Sequence, residues 1–306
     1  MITVESISKS FNGKKAVDQI SFQAFDQEIL VLLGTSGCGK TTTLKMINRL
    51  IEPDSGNIFI DDKNIRDQKP EELRMGIGFV MQHSGLFPHY TIQQNIAVVP
   101  ELLKWDKKKT ERKTHELLAK LHLSEEVLSR FPHELSGGQQ QRVGIARALI
   151  ADNPVLLMDE PFGALDTITK ADIHSEFKSL EDLKSKTIIL VTHDVQEAFE
   201  LGHRICLMDQ GKIIQTGTPR EILYHPATNF VRDFFAENRL LLEYKITDLH
   251  HISPFLTPGN TYSVSDSTAH ISVWNILQQL SSDHQNAEVY EEVVRAFNHY
   301  RKSQMV

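Results

Sequence analysis

Gly34-Thr35-Ser36-Gly37-Cys38-Gly39-Lys40-Thr41 decides how the rest of this chain is read. The stretch fits the pattern G-x-x-x-x-G-K-[ST], and the apolar run Ile29 to Leu33 just before it predicts a buried parallel strand that turns into a helix near Gly39. Glycines let consecutive backbone N–H groups converge on a phosphate that a side chain would keep away, and the helix start adds the positive end of its dipole. Lys40 is a flexible point charge able to reach β- and γ-phosphate oxygens, and the Thr41 hydroxyl is a hard oxygen ligand suited to Mg²⁺. Thr42 is placed to support an α-phosphate, with Thr35, Ser36 and Cys38 along the loop. A glycine-rich turn that binds nothing is the alternative, and it weakens with each motif found downstream.

Two such motifs follow. Val155 to Met158 is an apolar run ending in Asp159-Glu160, the pattern of a central strand that delivers carboxylates at its C-terminal end, where open α/β sheets bind ligands. Asp159 is expected to hold Mg²⁺, directly or through water. Glu160, one residue beyond, is the better general base for water attacking a γ-phosphate. Upstream, Leu135-Ser136-Gly137-Gly138-Gln139 opens a helix through an S-x-x-Q capping box. Capping explains Ser136 and Gln139 but not Gly137-Gly138, which are poor helix formers and make sense where something approaches the backbone closely. This is a second phosphate site on a chain whose first is complete, so two subunits are expected to share each ATP.

With these motifs in this order, residues 1 to about 235 resemble the ATP-binding subunits of ABC transporters. The resemblance implies an α/β fold of the P-loop NTPase class: a RecA-like core, an antiparallel β subdomain, a helical subdomain at about residues 91–150, and a small C-terminal α+β appendage over residues 236–306. It also implies roles for residues that match by position. Phe11 is the aromatic that stacks on adenine; an ordinary packed Phe is the alternative. Gln82 touches Mg²⁺ and the attacking water. Asp166 is the loop carboxylate that crosses the dimer interface. His193, after the buried run Thr187 to Val191, contacts the γ-phosphate and positions Glu160, and Asp194 is expected to cap the following helix. The implied cofactors are ATP and Mg²⁺, and the implied activity is ATP hydrolysis.

The chain has 306 residues and a net charge of −7, with a pI near 6.1. Nucleic acid is not an expected partner, because the one dense basic run, Lys107 to Lys109 with Arg112-Lys113, is interrupted by Glu111 and reads as a solvated helix face. No stretch approaches the roughly 18 apolar residues of a membrane span, and no leader pattern precedes Val4. Two cysteines, Cys38 and Cys206, form neither a disulfide framework nor a zinc site. The expected setting is cytoplasmic, peripheral on the inner face of the membrane. There the partners would be membrane-embedded permease subunits, docked on the Gln82–Tyr90 region, a second copy of the chain and, indirectly, a substrate-binding protein. Within that region, Gly85-Leu86-Phe87-Pro88-His89-Tyr90 has the apolar, aromatic composition of a groove for a partner helix.

Gly85 to Pro100 and Asn48 to Pro53 are similar to the ATPases of glycine betaine, choline and carnitine importers, which implies quaternary amine osmoprotectants as cargo. An importer ATPase for methionine or a polyamine is the alternative, and a non-transport ABC ATPase a further one. In the tail, Leu240 to Ile246 reads as a strand, Val273, Ile276, Leu277 and Leu280 as one helical face, and Val289, Val293 and Phe297 as the apolar stripe of a last helix. Ser265 to Leu280 weakly resembles the start of a CBS module, so the tail is expected to be a truncated or degenerate accessory domain. Thr169-Lys170-Ala171-Asp172 matches a guanine-reading TKxD string but lies in a probable helix, and is taken as chance.

Overall fold

The apolar runs become two sheets. The computed structural model describes residues 1–82, 85–163, 170, 173–174, 176–178, 180–257, 271–281 and 287–304. It divides into two compact units, Met1–Ile214 and Gln215–Val306, a division that falls before the expected end of the nucleotide core near Phe235.

In the first unit, β1 (Ile2–Phe11), β2 (Lys14–Ala24), β4 (Ser55–Ile60) and β5 (Lys63–Asn64) form a four-stranded sheet in the order β2-β1-β4-β5. Its pairings are antiparallel, with Val4 opposite both Phe22 and Ile58. The second sheet runs β10-β9-β3-β8-β7-β6, from β3 (Ile29–Gly34), β6 (Ile77–Val80), β7 (Val155–Asp159), β8 (Thr187–Thr192), β9 (Arg204–Asp209) and β10 (Lys212–Gly217). Strands β9, β3, β8, β7 and β6 pair in parallel. Leu30 to Leu33, Val155 to Met158 and Ile188 to Val191 are buried throughout, because a parallel strand covered on both faces has no polar side to show. The C-terminal ends of β3, β8, β7 and β6 therefore share one edge of the sheet. β8 lies between β3 and β7, so the glycine loop, His193 and the Asp159-Glu160 pair leave the sheet from adjacent strands.

Helix α1 (Lys40–Ile47) follows the glycine loop, and α2 (Pro70–Met75) precedes β6. The helix-rich stretch between β6 and β7 consists of α3 (Ile92–Leu102), α4 (Lys107–Lys120) and α5 (Gly137–Leu149) with short 3-10 turns between. Thr91 starts α3 through a complete capping box with Gln94, as its spacing predicts. A short α6 (Glu181–Lys184) leads into β8, and α7 (Val195–Leu201) follows it.

The described residues of the second unit are mostly helical: α8 (Pro219–Tyr224), α9 (Asn229–Phe234), α10 (Arg239–Ile246), α11 (Leu249–Ile252), α12 (Val273–Ser281) and α13 (Ala287–Ser303). Leu240 to Ile246, read from sequence as a strand, is helix. Leu, Glu and Lys favour helix over strand. Arg239 Nε donates to Glu243 Oε1 one turn on, at 2.8 Å, and the fully buried Glu243 carboxylate also pairs with Arg301 of α13. β structure in this unit is limited, among the described residues, to the end of β10 and a single Asp248–Ser272 bridge. The expected apolar faces of α12 and α13 bury Val273, Ile276, Leu277, Leu280, Val293 and Phe297 in one core with Leu249 and Ile252. Much of Ser265 to Leu280, and the expected turn after Thr257, lie outside the described residues.

Candidate active site

The loop from β3 to α1 is shaped by what glycine alone permits. A Cβ on Gly34 would sit 2.2 Å from the Met208 carbonyl oxygen of β9. Gly39, at φ +109°, would place one 2.5 Å from the Ala16 oxygen. Lys40 is 4 % exposed, and its ammonium donates to the Gly34 and Thr35 carbonyls at 2.8 and 2.9 Å. The charge is thus held against the inner wall of the loop. Cys38 Sγ lies 3.7 Å from the same nitrogen, yet burial pushes the thiol above its ordinary pKa, which leaves it a packing group. A cavity of 180 Å³ is lined by Ala16, by Ser36, Gly37 and Gly39 to Thr42 of the loop, and by Gln82 and Glu160.

The two expected acids stand in different surroundings. Asp159 closes β7, is buried, and accepts the Thr41 hydroxyl on Oδ1 at 2.8 Å. Burial drives its pKa up, and the Glu160 charge adds to this, against the opposing Thr41 hydrogen bond and the Lys45 and Lys40 charges. A buried carboxylate beside a threonine hydroxyl is a donor set that fits a hard divalent cation such as Mg²⁺. Glu160 leaves the strand at φ +46°, held by its N–H donating to the Val191 carbonyl of β8 at 2.9 Å. That turn aims the carboxylate at the cavity. Gln82 Nε2 donates to Glu160 Oε2 at 2.9 Å, and His193 Nδ1 lies 3.1 Å from Oε1. An ionised carboxylate only accepts, so Nδ1 carries the hydrogen and Nε2 is left as an acceptor when the ring is neutral. His193 is 58 % exposed against 18 % for Glu160, so one end of this triad faces outward.

The remaining expected residues separate by place. Phe11 ends β1 at 45 % exposure, with Lys9 Nζ 5.7 Å from its ring centroid; it is a surface aromatic and not core. Ser136 caps α5 through a complete box with Gln139, and Gly137 is exposed. None of Ser136 to Gln139 lines the loop cavity. Asp166 lies outside the described residues.

Three residues whose contacts sequence reading missed shape the surroundings. Asn95, fully buried, accepts the Phe87 N–H at 2.7 Å and donates to the carbonyls of Phe87, Tyr90 and Thr91. Arg147 donates to the Gly85 carbonyl at 2.8 Å and lies 5.9 Å from the Phe87 ring centroid. Lys170 pairs with Asp194 and Glu197. An asparagine inside the apolar stripe Ile92–Ile96 was the one available signal.

Residues 17–163 match the family model described as ABC transporter. The glycine betaine/carnitine/choline transport ATP-binding protein OpuCA of Bacillus subtilis (strain 168) is 54 % identical over 242 residues, 79 % of this chain. The chain spans 64 % of that protein's length. The glycine betaine uptake system ATP-binding protein YehX of Escherichia coli (strain K12) is 48 % identical over 78 % of either chain. Among solved structures, the dimeric post-hydrolysis state of the ATP-binding cassette MJ0796 bound to ADP and Pi aligns at a TM-score of 0.65 and 32 % identity, covering 71 % of this chain and 98 % of that one.

Proposed function

Because the chain belongs to the ATP-binding proteins of ABC transporters, we propose that it hydrolyses ATP to drive an importer of quaternary amine osmoprotectants. One observation carries the chemistry. Gln82 and His193 hold the two oxygens of Glu160 at the mouth of a cavity built by the phosphate loop, next to the Thr41–Asp159 pair.

In this reading the loop N–H groups and Lys40 bind the β- and γ-phosphates, and Phe11 stacks on adenine. Thr41 and Asp159 would hold Mg²⁺, which would supply neutralisation of phosphate charge. Glu160 accepts a proton from the attacking water, Gln82 orients that water, and His193 keeps the carboxylate aimed. Ser136 to Gln139 stand apart from the loop cavity within one chain, which agrees with a second copy presenting them across a shared ATP, alongside Asp166. Gly85 to Tyr90, fastened by Asn95 and Arg147, would receive a permease helix, and the subunit would then lie on the inner membrane face. Residues 236–306 serve as an accessory region. The cargo rests on the names of the relatives, since an ATP-hydrolysing subunit makes no contact with it.

The test is uptake of labelled glycine betaine, choline, carnitine, methionine and spermidine by salt-stressed cells lacking the gene and complemented with wild type or Glu160→Gln. Salt-stimulated quaternary amine uptake restored by wild type alone supports the reading. Restored methionine or spermidine uptake keeps the machine and changes the solute, and no restored uptake removes the import role.

A further inference from the structure

We propose that Lys170 is a positioning residue for hydrolysis, acting through the segment that carries His193; this rests on the ATPase reading above. Lys170 belongs to the TKxD string that sequence reading set aside, and its ammonium meets two carboxylates. Nζ lies 2.6 Å from Asp194 Oδ2 and 3.3 Å from Glu197 Oε2. The cluster is graded from inside to out: the Glu197 side chain is 2 % exposed, that of Lys170 18 % and that of Asp194 32 %.

The two carboxylates are tied to the backbone on both sides of His193. Asp194 Oδ1 accepts the N–H groups of Gln196 and Glu197 and so caps α7. Thr192, immediately before the histidine, donates its hydroxyl to Glu197 Oε2 at 2.9 Å, and its oxygen accepts the Asp194 N–H, also at 2.9 Å. His193 is therefore the middle residue of a three-residue turn whose neighbours are fastened to one buried carboxylate and one cap. Lys170 is the cation that both acids face there. Burial works hardest against the Lys170 ammonium, yet the Asp194 hydrogen bond and the charges of Glu197 and Asp194 outweigh it and raise its pKa. Glu197, by contrast, is pushed up by burial despite the lysine. Without the cation Glu197 is driven further toward its protonated form or out of its pocket, since a buried charge stripped of a partner is strongly disfavoured. Either change loosens the Thr192 and Asp194 contacts that set the direction of His193, whose ring reaches Glu160. Lys170 does not line the cavity, and its ion pairs are with Asp194 and Glu197, so the route from it to the chemistry runs through the histidine.

The test compares Lys170→Met, Lys170→Arg, His193→Ala and the Lys170→Met/His193→Ala double variant in the full-length chain. It measures steady-state ATP hydrolysis, binding of a fluorescent ATP analogue and thermal melting. The expectation is that Lys170→Met lowers kcat at least ten-fold with KM and analogue affinity within two-fold of wild type, and that Lys170→Arg recovers most of the rate. In the His193→Ala background Lys170→Met should have no further effect, because residues acting as one unit are not additive. A wild-type kcat for Lys170→Met, or an equal additional loss in the double variant, overturns the proposal. Should Lys170→Met fail to fold, Asp194→Asn removes the charge facing Lys170 and keeps an oxygen for the cap; unchanged kcat there overturns it equally. Wild-type protein without ATPase activity would instead refute the ATPase reading on which the proposal stands.

Discussion

Glu160 adopts a left-handed backbone that a non-glycine residue occupies at a cost of about 1–3 kcal/mol, and the Val191 carbonyl and the Gln82 side chain hold it there. Strain of this kind persists where the aim of a side chain matters. Glu160→Gln keeps the shape and removes the proposed base. Its kcat is expected to fall by roughly 10²–10⁴ while ATP binding persists, with an ATP-dependent dimer accumulating in light scattering; a wild-type hydrolysis rate would refute the base assignment. Asp159 makes the opposite use of its surroundings. Its folded pKa lies above the ordinary carboxylate value, so the charged form penalises the fold at neutral pH, and that penalty fades as pH falls through the raised value and is gone below the ordinary one. Asp159→Asn should therefore melt higher at pH 7, by about 2–4 °C for each kcal/mol relieved, and lose Mg²⁺-dependent hydrolysis. Calorimetry without nucleotide checks the first half, and an unchanged or lowered Tm would contradict it.

At the scale of elements, the loop Gly85–Tyr90 keeps its aromatic side chains outward because Asn95 satisfies its backbone from below. Asn95→Ala leaves those partly buried carbonyls unpaired, at about 1–3 kcal/mol. Amide exchange at residues 85–90 should accelerate before that of β3 or β8 does, and equal protection in the variant would remove Asn95 as the anchor. The parallel strands, the capping boxes at Thr91 and Ser136 and the glycine loop were all legible in sequence, because each depends on residues a few positions apart. Leu240 to Ile246 was misread for the complementary reason. Its apolar run fits either period, and what decides for helix is Glu243 meeting Arg239 along the helix and Arg301 far down the chain. The Lys170 pairings were hidden likewise: TKxD invites a guanine-reading match, whereas the lysine's partners stand at Asp194 and Glu197.

At the scale of the molecule, the second unit has its own apolar centre around Phe297, fully buried and stacked on Tyr244 with ring centroids 4.1 Å apart. Phe297→Ala should cost that unit about 3–5 kcal/mol, read as a calorimetric transition that moves down apart from the rest; a single undivided transition shifted as a whole would count against separate cores. The larger sheet has an order unlike the order of the chain. Strand β3 is hydrogen-bonded to β8 and β9 and to neither of the strands that follow it closely in sequence. For a chain emerging from a ribosome, the glycine loop at residues 34–41 therefore appears long before the neighbours that flatten and bury its strand. Until Thr192 is outside the exit tunnel, β3 and β7 have nothing between them to bring Lys40 and Glu160 into one place. Nascent chains halted before β8 are expected to ignore ATP in a crosslinking assay, and chains halted after β9 to capture it. Synthesis itself would thus withhold the proposed hydrolase until its phosphate loop and Glu160 can no longer be apart.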